Sequence, residues 1–157
     1  MGDGRAVIAY PDTSFLCSSF RPQAFSKEAL AHRAGMAEPL YVSELLRFEF
    51  LQAVELQVFL FTNDRNKGYP RHEADQMIEL WEEGLATGAV EIVSCNMDAV
   101  IAYALSLART HTATGGHRSL DVLHVATAVH LGAKEFLSFD QRQIALARSL
   151  GLGTPFA

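Results

Sequence analysis

The chain alternates short apolar runs with longer segments of helical spacing. AVIAY (6–10) is a β-branched run that meets Pro11, and proline, lacking an N–H, ends or bulges a strand. Residues 14–20 read as one or two helical turns. SKEALAHRAGMA (26–37) sets Ala, Leu and Met at helical spacing behind Ser26, a candidate N-cap. LYVS (40–43) is a strand candidate. ELLRFEFLQAVELQVFLF (44–61) is a long helix whose apolar positions wrap around more than one face, which predicts that it is well buried. TNDRNKGYPR (62–71) reads as an exposed connection. HEADQMIELWEEGLATG (72–88) is amphipathic and closes at a glycine. AVEIVS (89–94) is a strand, and NMDAVIAYALSLARTHT (96–112) opens on Asn96 as N-cap. Ser119 caps a helix through LDVLHVATAVHL that stops at Gly132. EFLSF (135–139) is a strand, followed by a last helix, DQRQIALARSLG (140–151).

Strands alternating with helices imply an α/β sandwich with a mainly parallel sheet and right-handed crossovers. In such sheets, ligands bind outside the carboxyl ends of the strands. The length of 157 residues suits one domain spanning 1–157. With 49% apolar residues, the chain is neither disordered nor fibrous. Cys17 and Cys95 are too few for a disulfide framework and lack metal spacing, so both read as free core thiols. No run reaches the ~18 apolar residues that span a bilayer. The short, early-acidic N-terminus does not read as a signal peptide. The expectation is a soluble cytoplasmic protein with no membrane partner.

The net charge is -5, from 13 basic and 18 acidic residues, which argues against bulk electrostatic capture of nucleic acid. It leaves room for a local basic patch and for a cluster of carboxylates. Asp12 follows the first strand, Asp140 follows EFLSF, and Asp121 lies in the first turn of the helix that Ser119 opens. Taken singly, each also suits helix capping or dipole compensation. Their shared location at the strand ends is what points to a site. On the long helix, Glu44 sits at the N-terminus. Glu49 lies between Phe48 and Phe50, where a partly buried carboxylate must be paired, metal-bound or placed on a narrow polar strip.

Carboxylates gathered at one end of a sheet repel one another and stay ionised together only beside a cation. All-oxygen ligands select Mg²⁺ or Mn²⁺ over Zn²⁺, and Mg²⁺ favours phosphate oxygens as its remaining ligands. Such a site points to phosphoryl transfer or phosphodiester hydrolysis. No Gly-rich phosphate loop, GxSxG elbow or HExxH motif is present. The histidines, His124 and His130 included, read as packing or surface residues.

Three blocks resemble the PIN-domain ribonucleases, specifically the VapC-type toxins of bacterial toxin–antitoxin pairs: PDTSFL, VSELLRFEFLQAVEL and RSLDVLHVATAVHLGAKEFLSFDQRQIALARSLGL. The last block is the most specific, with Asp121, His124, Leu131-Gly132-Ala133 and Phe139-Asp140 in the family's order. The resemblance covers almost the whole chain and implies a three-layer α/β/α PIN-like sandwich. It assigns Asp12, Glu49, Asp121 and Asp140 as the catalytic and metal-holding acids, with Glu49 preferred over Glu44. One or two Mg²⁺ or Mn²⁺ ions would serve hydrolysis of an RNA phosphodiester. Thr13 and Ser14 would orient the Asp12 loop, and Pro11 stands where an aliphatic residue is more usual.

The resemblance further implies a cognate antitoxin and a homodimer. Helix 26–37 and the start of the long helix would form the antitoxin groove. Phe15, Phe20, Leu30 and Phe48 would serve that groove or the core. Candidate RNA contacts are Arg65, Lys67, Arg71, Arg118 and Arg142. Two other readings compete. A haloacid dehalogenase-type phosphohydrolase needs a second Asp two residues after the first, and Ser14 stands there. A noncatalytic PIN-like interaction module would not require the four acids.

Overall fold

The computed structural model describes residues 7–157. Four short strands carry the sheet: β1 (Ala9–Pro11), β2 (Leu40–Val42), β3 (Val90–Ile92) and β4 (Glu135–Leu137). β1 pairs with β4 and β2 with β3, both parallel. β1 and β2 lie alongside each other, giving the order β3, β2, β1, β4. Gly153 adds a parallel bridge outside Glu135.

Helices cover both faces. α1 (Thr13–Phe20), α2 (Ser26–Ala34), α3 (Glu44–Asn63) and α4 (Arg71–Thr87) pack among themselves, while α5 (Met97–Leu107), α7 (Ser119–His130) and α8 (Gln141–Ser149) form the second layer. The result is a three-layer α/β/α sandwich. Trp81 is fully buried and seals the first layer against Phe50 (ring centroids 5.0 Å) and Phe20 (5.8 Å). Such aromatic pairs contribute about 0.5–1.5 kcal/mol each beyond area burial.

Helix starts follow the side chains that can accept orphan N–H groups. Asp12, Ser43, Asn96 and Asp140 cap α1, α3, α5 and α8 respectively. Two expected caps differ. Ser26 is the first residue of α2 rather than its cap, because its hydroxyl accepts from Gln23 N–H and donates to the Arg21 carbonyl. Ser119 is likewise the first residue of α7, after Arg118.

The strands are shorter than the apolar runs suggest, for a local reason. EFLSF leaves the sheet at Leu137 because the next free N–H groups bond side chains: Phe139 N–H to Ser14 Oγ (3.1 Å) and Asp140 N–H to Ser138 Oγ (3.0 Å). β1 begins at Ala9, later than its apolar run, whose residue 6 lies outside the described residues. The segment 96–112 is α-helical only to Leu107. It then widens into a π-helix over Ala108–Thr112 and ends in a short turn, α6 (Ala113–Gly115). There the Thr110 hydroxyl donates toward the Ser106 and Leu107 carbonyls, competing with the helix ladder.

The expectation that the long helix is well buried is corrected. Only Leu46, Phe50 and Val54 of α3 are fully enclosed, while Phe48, Leu56 and Phe59 are exposed. One face meets α1 and α4, Glu49 reaches α7, and the side carrying Phe48, Leu56 and Phe59 is left exposed. The loop after α3 is also less open than it reads, since Tyr69 is buried beneath the Arg21 guanidinium.

Candidate active site

Asp12 is fully buried at the carboxyl end of β1. Its Oδ1 accepts from Ser14 Oγ (2.7 Å) and Phe15 N–H (3.0 Å), and its Oδ2 from Ser138 Oγ (2.5 Å) and Gln143 Nε2 (2.9 Å). Four donors therefore surround one carboxylate. Burial raises its pKa above the usual range, and the hydroxyls of Ser138 and Ser14 only partly offset this. Ser14 thus takes the orienting role expected of it. Thr13 begins α1, and its buried hydroxyl makes no hydrogen bond of full geometry.

Glu49 projects from the second turn of α3 and pairs with Nε2 of His124, which is buried on α7. Burial works to raise the Glu49 pKa. The hydrogen bond and charge of His124 outweigh it, and the carboxyl is held below its usual value. The reading of His124 as a packing or surface residue is therefore corrected. Its pairing joins positions 75 residues apart, so no local spacing reveals it. Glu44 stands apart, highly exposed and paired with Arg47.

Asp121 and Asp140 line one open cavity of about 410 Å³ with Arg118, Gln141 and Arg142. Burial raises the Asp121 pKa, with further contributions from the negative charges of Asp140 and Glu49. Asp140 also caps α8 through Arg142 N–H (2.8 Å) and Gln143 N–H (3.2 Å). Gln143 therefore links two of the acids, with its backbone on Asp140 and its side chain on Asp12. Phe139 stacks on Phe25 (4.6 Å) and packs at a tilt against Phe156 (4.6 Å), which braces the loop carrying Asp140.

The four acids thus occupy one neighbourhood but play different parts. Asp121 and Asp140 face a cavity, Glu49 is paired with a histidine, and Asp12 is enclosed by donors. Among the described residues, no three His, Cys, Asp or Glu side chains converge closely enough to hold one metal ion. The donor chemistry of Asp121 and Asp140 nonetheless fits a hard divalent cation: both are carboxylates, and the like charge that raises Asp121 is what such a cation relieves. The Cys17 thiol is pushed up to about 12 by burial and then by the charges of Asp12 and Glu49, which disfavours the thiolate.

The basic candidates separate into two groups. Arg71 clamps Glu55 with two hydrogen bonds (2.9 and 2.6 Å) and Lys67 pairs with Asp64, so both are engaged with acids far along α3 and its loop. Arg65 lies over the Phe61 ring. Arg118 and Arg142 lie where the cavity acids are. The two cysteines are free and half-buried.

A doubly covered parallel sheet with acids at its strand ends defines a class of small α/β proteins with a polar site at one edge. The PIN domain family model matches residues 9–149, and the chain belongs to that family. PIN domains are generally nucleases, a class that typically uses divalent metals. The fold is similar to that of FitAcB from Neisseria gonorrhoeae (TM-score 0.61, 18% identity, 94% of this chain and 96% of that chain). It is also similar to PAE2754 from Pyrobaculum aerophilum (TM-score 0.56, 17% identity, 95% of this chain and 84% of that chain). No curated protein matches the sequence. Among the described residues, no helix is long and apolar enough to cross a membrane.

Proposed function

We propose that this PIN protein is a metal-dependent endoribonuclease acting in the cytoplasm as the toxin of a VapC-type toxin–antitoxin pair, its whole length forming one PIN unit. The observation that carries the reading is the cavity in which Asp121 and Asp140 face Arg118 and Arg142: two carboxylates for a cation beside two guanidiniums for a phosphodiester. Asp121 and Asp140 would hold Mg²⁺ or Mn²⁺, with Glu49 joining on release from His124, and Asp12 completing the acidic set from its enclosed position. When bound, the cation would polarise a phosphate oxygen and lower the pKa of a water. The chain's own part is positioning. Ser14, Ser138 and Gln143 hold Asp12, Gln143 ties it to Asp140, and His124 sets the orientation of Glu49.

The test is cleavage of single-stranded RNA by purified protein with Mn²⁺, with EDTA and with Asp121→Asn. The expected result is cleavage that needs the metal and is lost in the variant. A variant as active as the parent protein would overturn the reading. The noncatalytic alternative draws on the Glu49–His124 pair and the enclosed Asp12, which leave fewer free ligand oxygens. Calorimetric titration with Mn²⁺ separates the two, since a noncatalytic module predicts no saturable binding.

Support for the antitoxin comes from a groove of about 530 Å³ beside Phe20, Leu30, Arg33, Leu80 and Gly84. This groove lies between α1, α2 and α4, with the largely buried Phe20 in its wall, while Phe48 near the start of α3 is exposed and lies outside it. Phe15, another candidate for partner binding, is core. Exposed Phe48, Leu56 and Phe59 on α3, and Ile101 and Leu105 on α5, supply apolar surface for a homodimer. Light scattering of the purified chain measures that state.

A further inference from the structure

A second cleft adjoins the acidic cavity and shares Gln141 and Arg142 with it. It holds about 350 Å³ and is formed where the π-helical segment, the turn after it and α8 meet. Its polar lining is His111, Thr114, His117, Gln141, Arg142 and Ser149, and no carboxylate lines it. In a chain of net charge -5, a cleft with two imidazoles, one guanidinium and no acid is a local reversal of sign.

Thr114 and Ser149 donate their hydroxyls to the carbonyls of His111 and Leu146, but the arginine and the imidazole of His117 are not spent in this way. Among the described residues, Arg142 makes no ion pair within 4 Å despite lying two residues from Asp140, and its side chain donates only a long bond to the Gly116 carbonyl (3.5 Å). His117 Nδ1 is buried without a hydrogen-bond partner. The ring lodges against Gly115 so closely that a Cβ there would fall 2.3 Å from His117 Nε2. Gly115 thus permits this ring placement, and the π-widened turn before it sets His111 on the same cleft. π-Helical segments tend to mark functional sites.

We propose that this cleft is a phosphate subsite. It would take a backbone phosphate of the RNA strand next to the one presented to Asp121 and Asp140, with Arg142 standing between the two positions. The proposal rests on the nuclease reading for the identity of the strand, while the anion chemistry rests on the cleft alone. Arg142 would supply a fork of donors to the phosphate oxygens, and the two imidazoles would supply the remaining hydrogen bonds. The overall acidity of the chain then works in favour of selectivity: the strand is repelled except along the path that crosses this cleft.

The experiment measures binding of a fluorescein-labelled single-stranded RNA 12-mer by anisotropy, in EDTA so that no cleavage occurs, across a salt series. Arg142→Gln, His117→Gln and the double variant His111→Gln/His117→Gln are compared with the parent chain, each checked for native circular dichroism. We expect Arg142→Gln to weaken binding roughly tenfold. The slope of log K against log salt should shrink by about 0.7, because one phosphate is no longer neutralised. In the parent chain, titration with inorganic phosphate should shift the imidazole NMR signals of His111 and His117 saturably.

If affinity and slope are unchanged in folded Arg142→Gln and in the double variant, the subsite is wrong, whether or not the protein cleaves RNA. The same holds if phosphate leaves both imidazole signals in place. If the variants lose affinity and slope while the parent chain cleaves nothing with Mn²⁺, the subsite stands and the nuclease reading fails.

Discussion

Asp12 allows a sharp separation of charge from hydrogen bonding. In Asp12→Ala, four donors lose their acceptor at a site with no solvent exposure. The Ser14 and Ser138 hydroxyls can rotate and keep other partners, since each already accepts a backbone N–H from Phe139 or Asp140. Phe15 N–H and Gln143 Nε2 have no such freedom. Loss of the α1 cap bond to Phe15 N–H costs about 1 kcal/mol and the stranded Gln143 Nε2 about 1–3, so the variant should lose roughly 2–4 kcal/mol.

Asp12→Asn is different. Its amide oxygen can still accept from Phe15 N–H, and its NH₂ can donate to Ser138 Oγ. Gln143 carries a buried Oε1 with no partner, so turning that amide over lets it accept from the new NH₂. The substitution also removes a buried charge. Burial raises the Asp12 pKa in the folded state, so ionising it costs stability as pH rises from the unfolded value through the folded one. The Asn variant escapes that cost and should lie within about 1 kcal/mol of the parent chain at pH 7. Urea denaturation with a check on m measures both variants, and RNA cleavage with Mn²⁺ should vanish in both. If Asp12→Ala stays within about 1 kcal/mol of the parent chain, or Asp12→Asn falls as far as Asp12→Ala, the account of the site is wrong.

Other expectations follow from neighbouring residues. Glu49→Gln should abolish cleavage, while Glu44→Gln, at an exposed helix start, should keep it and shift stability by less than about 0.5 kcal/mol; a larger activity loss in Glu44→Gln would reverse the assignment. Asp121→Asn should be slightly more stable than the parent chain at pH 7, by under about 1 kcal/mol after solvent screening. The sign follows because a raised carboxyl pKa in the folded state penalises the ionised form above that pKa, and the gain should fade below the unfolded value near pH ~4. Thermal melts at pH 7 and pH 3 check it, and an equal gain at both pH values would contradict the assignment. Gly68→Ala should lose at least about 2 kcal/mol, because φ is +64° and the new Cβ would sit 2.0 Å from the Gln57 carbonyl oxygen. Gly88→Ala, at φ +79° in open space, should lose only about 1 kcal/mol in the same urea assay.

The alternation of apolar runs determined the parallel α/β layering, because period-2 and period-3.6 patterns are local and survive without knowing what packs on them. It also marked Asp12 and Asp140, since a residue following a strand in such a sheet faces the ligand edge whatever its partners. Asp121 stood out by its place in the first turn of its helix, and the resemblance added the preference for Glu49 over Glu44. What only tertiary structure decided is how each acid is held. The cage on Asp12 draws on Ser138 and Gln143, 126 and 131 residues away. The His124–Glu49 pair joins two helices in different layers. The ends of the strands, the exposed face of α3 and the π-widened turn were equally out of reach. Each depends on competition between a backbone group and a side chain, or on whether a neighbour covers a face, and neither is a property of local spacing. The net charge of -5 is a sum over the whole chain, and it conceals an acid-free cleft that folding assembles from residues 111–117 and 141–149.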